Sequence, residues 1–421
     1  MNTSGFTSAD SVLPQNSAVN RQASSDRQSL SAGHSSNRQT TYHDQKDIQN
    51  ILQLREVLKT FPPFARSYFR AIEPTTSTRT RLSYAYDIRT FFRFIQESNP
   101  ALRSVDIHQW DVSVLDQMQA VDIEEYQEFL KVYEVDRSLA GAPAEARFTN
   151  GEKGLKRKMS ALRSFYAYYY KRQQIQTNPT LLVDMPKLHD KAIIRMDEGE
   201  TAALLDYIEN CGNNLTGQKK TYYEKTKIRD LTIVTLLLGT GIRVSECVGL
   251  DIGDVDFRNG ALKVVRKGGS ESFVYFGPEV EKALLNYIEY RKSIEPLPGH
   301  ENALFFSTQR KRMGVQAVEN MVKKYAREVV TTKKITPHKL RSTYGTALYR
   351  ETGDIYLVAE VLGHKDVNTT RKHYAAMDET RRRRAASAVK LREERPADTP
   401  AIDSQDLAAV QQDGERPVID E

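Results

Sequence analysis

Six side chains in the C-terminal half stand in a suggestive order: Arg243, Lys267, His338, Arg341, His364 and Tyr374. Arg243 follows a glycine turn, Gly239-Thr-Gly-Ile-Arg243-Val-Ser-Glu246, at the end of an apolar run. Lys267 opens the turn Lys267-Gly268-Gly269-Ser270. His338 and Arg341 are three residues apart, which puts both on one helix face. His364 follows Leu362-Gly363, and Tyr374 comes ten residues later within Arg371-Lys-His-Tyr-Ala375. Each has an ordinary reading. An arginine after a glycine turn can be a structural ion pair, a turn lysine can keep a hairpin soluble, and Tyr374 is one of 21 tyrosines. As a set, the types suit chemistry on an anion. Guanidiniums present planar forks that match phosphate oxygens and stay charged at any working pH. A tyrosine hydroxyl, with a pKa of about 10, needs a proton acceptor or strong local positive charge to act as a nucleophile.

The elements that must position these residues follow from pattern. Residues 196–380 are expected to form one domain. Helices over Glu198–Cys211 and Lys227–Gly239 lead to Arg243. Two β-prone runs, Ala261–Arg266 and Ser272–Phe276, flank the Gly-Gly turn and predict a hairpin. Helices resume at Glu279–Arg291 and Val315–Val330, and Thr336-Pro337 marks a helix start just before His338. Residues 44–188 read as a separate helical domain. Ile48, Ile51, Leu52, Leu54 and Leu58 have helical spacing up to Pro62-Pro63. A helix from Thr75 buries Leu82, Tyr86, Phe91, Phe92 and Ile95, and Asp122–Val132 is another. From about Gly151 to Gln173, Leu155, Met159, Leu162, Tyr166 and Tyr169 make one apolar stripe. Lys153, Lys156, Arg157, Lys158 and Arg163 fill other positions of that helix, as a solvated face or a phosphate-contacting one.

The bulk composition fits this division. A chain of 421 residues with 39% hydrophobic content can build two cores. No apolar run approaches the roughly 20 residues that span a bilayer. The opening Met-Asn-Thr-Ser-Gly-Phe lacks a basic region followed by an apolar one. Cys211 and Cys247 make neither a disulfide framework nor a zinc quartet, so a cytoplasmic setting is expected. The net charge is +6, yet residues 396–421 hold seven acids against Arg416. The rest of the chain is therefore more basic than the total, which favours a polyanionic partner. Residues 1–43, rich in Ser, Asn, Gln and Thr, are expected to be disordered. Residues 381–421 are expected to form a basic helix, containing Arg381–Arg384, and an acidic disordered tail.

In this order and at these separations, the six residues resemble the catalytic domain of the tyrosine recombinase (phage integrase) family. The resemblance spans roughly 75–380. It is closest to the Xer resolvases, with Lys225–Asp256, Val264–Gly269 and Val322–Arg341 similar to the single-protein XerS type. It implies a mainly α fold with a small β-sheet, as a two-domain DNA clamp: an N-terminal helical, SAM-like core-binding domain and an α+β catalytic domain. It implies roles as well. Arg243 and Arg341 clamp the scissile phosphate, Lys267 protonates the leaving 5′ oxygen, and His338 transfers protons beside the phosphate. His364 hydrogen-bonds a non-bridging oxygen, Tyr374 is the nucleophile, and Glu246 supports. Ser342 stands where the family often has a histidine. Attack by tyrosine keeps the bond energy in a 3′-phosphotyrosine, so rejoining needs no ATP. In keeping with that, the sequence has no Gly-x-x-x-x-Gly-Lys-Ser/Thr loop, no His-Glu-x-x-His and no carboxylates spaced for metal. No cofactor is expected.

The implied partner is double-stranded DNA with a paired inverted-repeat site, bound by a homotetramer across two sites, with a DNA translocase as a further partner. Arg79, Arg81, Lys156 and Arg157 are candidate phosphate contacts. Ala385, Ala388, Val389 and Leu391 could form a stripe that docks on a neighbouring subunit, or the helix could be a solvated basic one. Chromosome-dimer resolution is the expected role. A mobile-element integrase, a type IB topoisomerase and a catalytically inactive DNA-binding regulator stay open as alternatives.

Overall fold

Helices form where apolar stripes and capping residues coincide. The computed structural model describes residues 41–136, 145–189, 194–266, 268–364 and 366–367. Lys267, Tyr374, the N-terminal extension to residue 40 and the whole basic helix and acidic tail lie outside the described residues.

The first group of elements is helical. It comprises α1 (Tyr42–Leu58), α2 (Ala65–Ala71), α3 (Thr78–Ser98) and α4 (Ala120–Phe129), then the strands β1 (Val132–Asp136) and β2 (Glu145–Thr149), and α5 (Glu152–Lys171). Ser77 caps α3 by accepting a hydrogen bond from the Thr80 backbone at 3.2 Å. Phe61, Phe69, Phe91, Phe92, Phe165, Tyr166 and Tyr169 fill the core between α1, α2, α3 and α5. Their rings meet mostly edge to face, as the Phe61–Phe92 pair does at 5.4 Å. The stripe on α5 is buried as its spacing requires, with Leu155 at its margin.

Two expectations are corrected by the structure. The helix expected over Asp122–Val132 ends at Phe129, and Val132 opens an antiparallel ribbon with register Val132↔Thr149. Tyr133 stacks between Phe129 and Phe148, with centroids 5.4 and 5.8 Å away, which favours extended chain there. Tyr86 is exposed rather than buried, with the Arg89 guanidinium 5.2 Å from its ring, and Ala85 and Ile88 take the core positions. The spacing from Ile48 to Leu58 does form a helix, α1, which buries Leu54 and Val57 and leaves Ile48 and Leu52 exposed.

The second group begins with α6 (Glu198–Asn210) and α7 (Gly217–Thr240), which starts ten residues before the expected Lys227. Then come α8 (Val244–Gly249), the strands β3 (Val255–Asp256), β4 (Ala261–Val265) and β5 (Glu271–Tyr275), and α9 (Pro278–Arg291). It closes with α10 (Val315–Val329), α11 (Pro337–Thr352) and α12 (Ile355–Leu362). The strands form one antiparallel sheet in the order β3-β4-β5. Gly268 and Gly269, at φ of 101° and 84°, permit the hairpin turn that the Arg266 amide closes onto the Ser270 carbonyl at 2.8 Å. Ile233, Val234, Leu236 and Leu237 of α7 lie at the centre of this core, against Val280, Leu284, Val322 and Leu340. The molecule is thus mainly helical with small sheets, and the described residues contain no helix long and apolar enough to cross a membrane.

Candidate active site

The site is built at the C-terminal end of α12. A helix end leaves carbonyls without helical partners and carries partial negative charge. Here the Gly363 and His364 amides return to Glu360 and Ala359, each at 2.8 Å. The next three carbonyls each receive a guanidinium. Arg266 donates to Val361 at 3.0 Å, Arg341 to Leu362, and Arg243 to Gly363 at 3.1 Å. His364 follows directly and is half-buried.

Each arginine is delivered by a different element. Arg243 is the cap residue of α8, placed there because α7 ends at Gly241 in the left-handed conformation, φ 61°. Glu246, buried at 3% exposure, accepts from the Arg243 backbone at 2.8 Å and from its Nη1 at 2.7 Å. Arg266 ends the β4 side of the hairpin, and its Nη1 lies 3.3 Å from Glu246 Oε2, the oxygen that also accepts from the Arg243 backbone. Arg341 comes from α11, is 4% exposed, and donates through Nη1 to Gly241 at 2.7 Å. Thr336 caps α11 and Pro337 occupies its first turn, as expected, so His338 stands one turn before Arg341 at an exposed position.

Arg243, Arg341 and His364 are therefore gathered around one helix end, and His338 shares a helix with Arg341. Lys267 and Tyr374 lie outside the described residues. Two features went unread in the sequence. Arg266 looked like any base beside a turn, and Gly363, φ 60°, carries the chain sharply into His364. Cys247, beside Glu246, is fully buried, and burial pushes its thiol pKa up to about 12, so it is a neutral core group rather than a second nucleophile. Among the described residues, no group of three or more His, Cys, Asp or Glu is placed to hold a metal ion.

The four candidate DNA contacts fare differently. Arg79 is exposed and Lys156 half-buried. Arg81 is 6% exposed and pairs with Glu73 at 3.0 Å, so its charge already has a partner within the chain. Arg157 keeps half its side chain in solvent but pairs with Asp87, which also holds the buried Lys158 at 3.1 Å. Arg163 donates to the Thr180 and Val183 carbonyls. The basic face of α5 is thus partly internal wiring.

Residues 195–381 match the profile of the phage integrase family. A tyrosine recombinase XerC from Caldanaerobacter subterraneus subsp. tengcongensis is 31% identical over 357 residues, spanning 82% of this chain and 91% of that protein. The chain belongs to the phage integrase family, as a tyrosine recombinase of Xer type. A tyrosine recombinase XerS from Lactococcus lactis subsp. cremoris matches the recombinase almost as well, at 29% identity over 77% of this chain and 93% of that protein. The assignment is therefore to the Xer type rather than to XerS in particular. The recombinase shares its fold with the XerH site-specific recombinase solved on its difH substrate, at 18% identity and a TM-score of 0.54 over 84% of this chain and 90% of that one. It shares it also with a lambda integrase dimer bound to a core site, at 15% identity and a TM-score of 0.50 over 80% of this chain and 97% of that one.

Proposed function

We propose that this recombinase cuts and rejoins double-stranded DNA through a 3′-phosphotyrosine at Tyr374. The observation that carries the reading is the convergence of Arg243 and Arg341, from separate helices, on consecutive carbonyls directly before His364. Two guanidiniums fixed at one point stabilise the extra charge of a five-coordinate phosphorus, commonly the largest catalytic contribution. The Tyr374 oxygen attacks phosphorus in line, the bond to the 5′ oxygen breaks, and Lys267 gives that oxygen its proton. His338 moves the nucleophile's proton, and His364 donates to a non-bridging oxygen. A 5′ hydroxyl from a second strand then reverses the step, releasing the tyrosine.

In this reading residues 44–188 grip the duplex and 196–380 perform the chemistry, while 1–43 and 381–421 are an extension and a tail. A homotetramer holds two inverted-repeat sites, resolving chromosome dimers with a DNA translocase. The likeness to the XerC and XerS tyrosine recombinases supports the recombinase chemistry, and the biological role rests on the site that the protein binds. Mapping the genomic site bound by the full chain tests it: one site near the replication terminus is expected, and the ends of a mobile element would assign the protein to integration instead. The chemistry is tested with a nicked suicide substrate carrying that site. Wild type is expected to accumulate a covalent adduct, and Arg243→Ala and Arg341→Ala to form it about 100-fold more slowly or worse. Wild-type rates in either variant would remove the clamp from the account.

A further inference from the structure

Arg266 is the most tightly engaged charge at the site that the proposed chemistry leaves without a task. Its side chain is 10% exposed, and it bridges the buried Glu246 carboxylate and the Val361 carbonyl. Its guanidinium also lies against Gly363: a Cβ added there would stand 3.0 Å from the Arg266 Nε and Cζ. Burial lowers the pKa of this guanidinium and Glu246 opposes that shift, so the charge is held by its partner rather than by water. One side chain thus joins the carboxylate that orients Arg243 to the helix end that carries His364.

The other two arginines cannot supply this tether throughout the reaction. A phosphate arriving between Arg243 and Arg341 competes for the donors they now give to Gly363 and Leu362. Arg266 gives its donors to Glu246 and Val361, neither of which is a donor group that the clamp must surrender to a phosphate. We propose that Arg266 is a positioning residue: it locks the last turn of α12, and the His364 that follows, to the Glu246–Arg243 pair without touching the scissile phosphate. This rests on the phosphotyrosine reading above, since it assigns Arg266 a part in the same step.

The test uses the full chain on the nicked suicide substrate, with the DNA dissociation constant and the single-turnover cleavage rate measured separately. Arg266→Ala is expected to bind DNA within about threefold of wild type and to cleave about 100-fold more slowly, the loss that a misplacement of about 1 Å can bring. Arg266→Lys, which keeps one of the two tethers, is expected to fall between them. A substrate with sulfur at the bridging 5′ position separates this role from service to the neighbouring Lys267, because a thiolate leaves without being protonated. The Arg266→Ala defect is expected to persist on it, while a Lys267→Ala defect is relieved. If Arg266→Ala does not fold, Arg266→Gln, which keeps most of the side-chain stem but loses the charge held by Glu246, replaces it with the same expectation. Cleavage at the wild-type rate, a loss confined to binding, or relief by the sulfur substrate overturns the inference. Absence of any wild-type adduct overturns the underlying reading instead.

Discussion

The residue that best shows how the site is held is Gly241, which catalysis does not use directly. It lets α7 stop in a left-handed turn, and its carbonyl receives Arg341 at 2.7 Å. A Cβ at this position would stand 2.3 Å from the Tyr344 ring and 2.9 Å from Leu362. Gly241→Ala therefore strains a φ of 61° and wedges α11 and α12 away from α7 at the same point. It is expected to cost more than about 1 kcal/mol of stability and to slow cleavage, read as a lower melting temperature and a reduced single-turnover rate. Wild-type values for both would show that the three helices adjust freely, against the rigid site described. Glu246 illustrates a related point. A buried carboxylate serving Arg243 and Arg266 is expensive to desolvate and is kept for orientation, since removing one partner strands the others.

Among the elements, α3 and α5 are joined by polar ties as well as by their aromatic core. Asp87 of α3 is 1% exposed at its side chain and accepts from Lys158 and Arg157 of α5. Burial raises the Asp87 pKa despite both cations, a measure of how dry the tie is. Asp87→Ala leaves the Lys158 ammonium buried without its counterion, and unfolding experiments are expected to show a loss of about 3–5 kcal/mol. A denaturation midpoint equal to wild type would mean that Lys158 escapes to solvent. The sequence displayed what is local. The α5 stripe, the Thr336-Pro337 start of α11 and the Gly-Gly hairpin were legible because spacing and turn chemistry encode them. The β1–β2 ribbon was not, because contacts with Phe129 and Phe148 decide it. Nor was the first part of α7, where Gly217–Thr226 has few apolar residues to mark a face. For the site, the order of Arg243, His338, Arg341 and His364 was readable. Arg266 was hidden because its partners are far away in sequence and one is a backbone carbonyl. The Arg81–Glu73 pair was hidden as well, because nothing in the spacing of the two residues marks them as partners.

At the scale of the whole molecule, charge is what the recombinase offers to a DNA duplex, and much of it is already used. Arg81 and Arg157 serve Glu73 and Asp87, which leaves exposed Arg79 and half-buried Lys156 as the candidates of the helical group. Each phosphate contact adds about 0.9 to the slope of log affinity against log salt. Replacing Arg79 and Lys156 together by alanine is expected to flatten that slope by about two units, and an unchanged slope would place the contacts elsewhere. The central claim concerns covalent chemistry and has a more direct measurement. The adduct formed on a nicked suicide substrate is digested with nuclease and trypsin and sequenced by mass spectrometry. The tryptic peptide His373–Arg381 contains Tyr374 as its one tyrosine. This peptide alone is expected to carry the nucleotide, joined through a 3′ phosphate, and Tyr374→Phe is expected to yield no adduct. A nucleotide on any other residue, or an adduct undiminished in Tyr374→Phe, would contradict it.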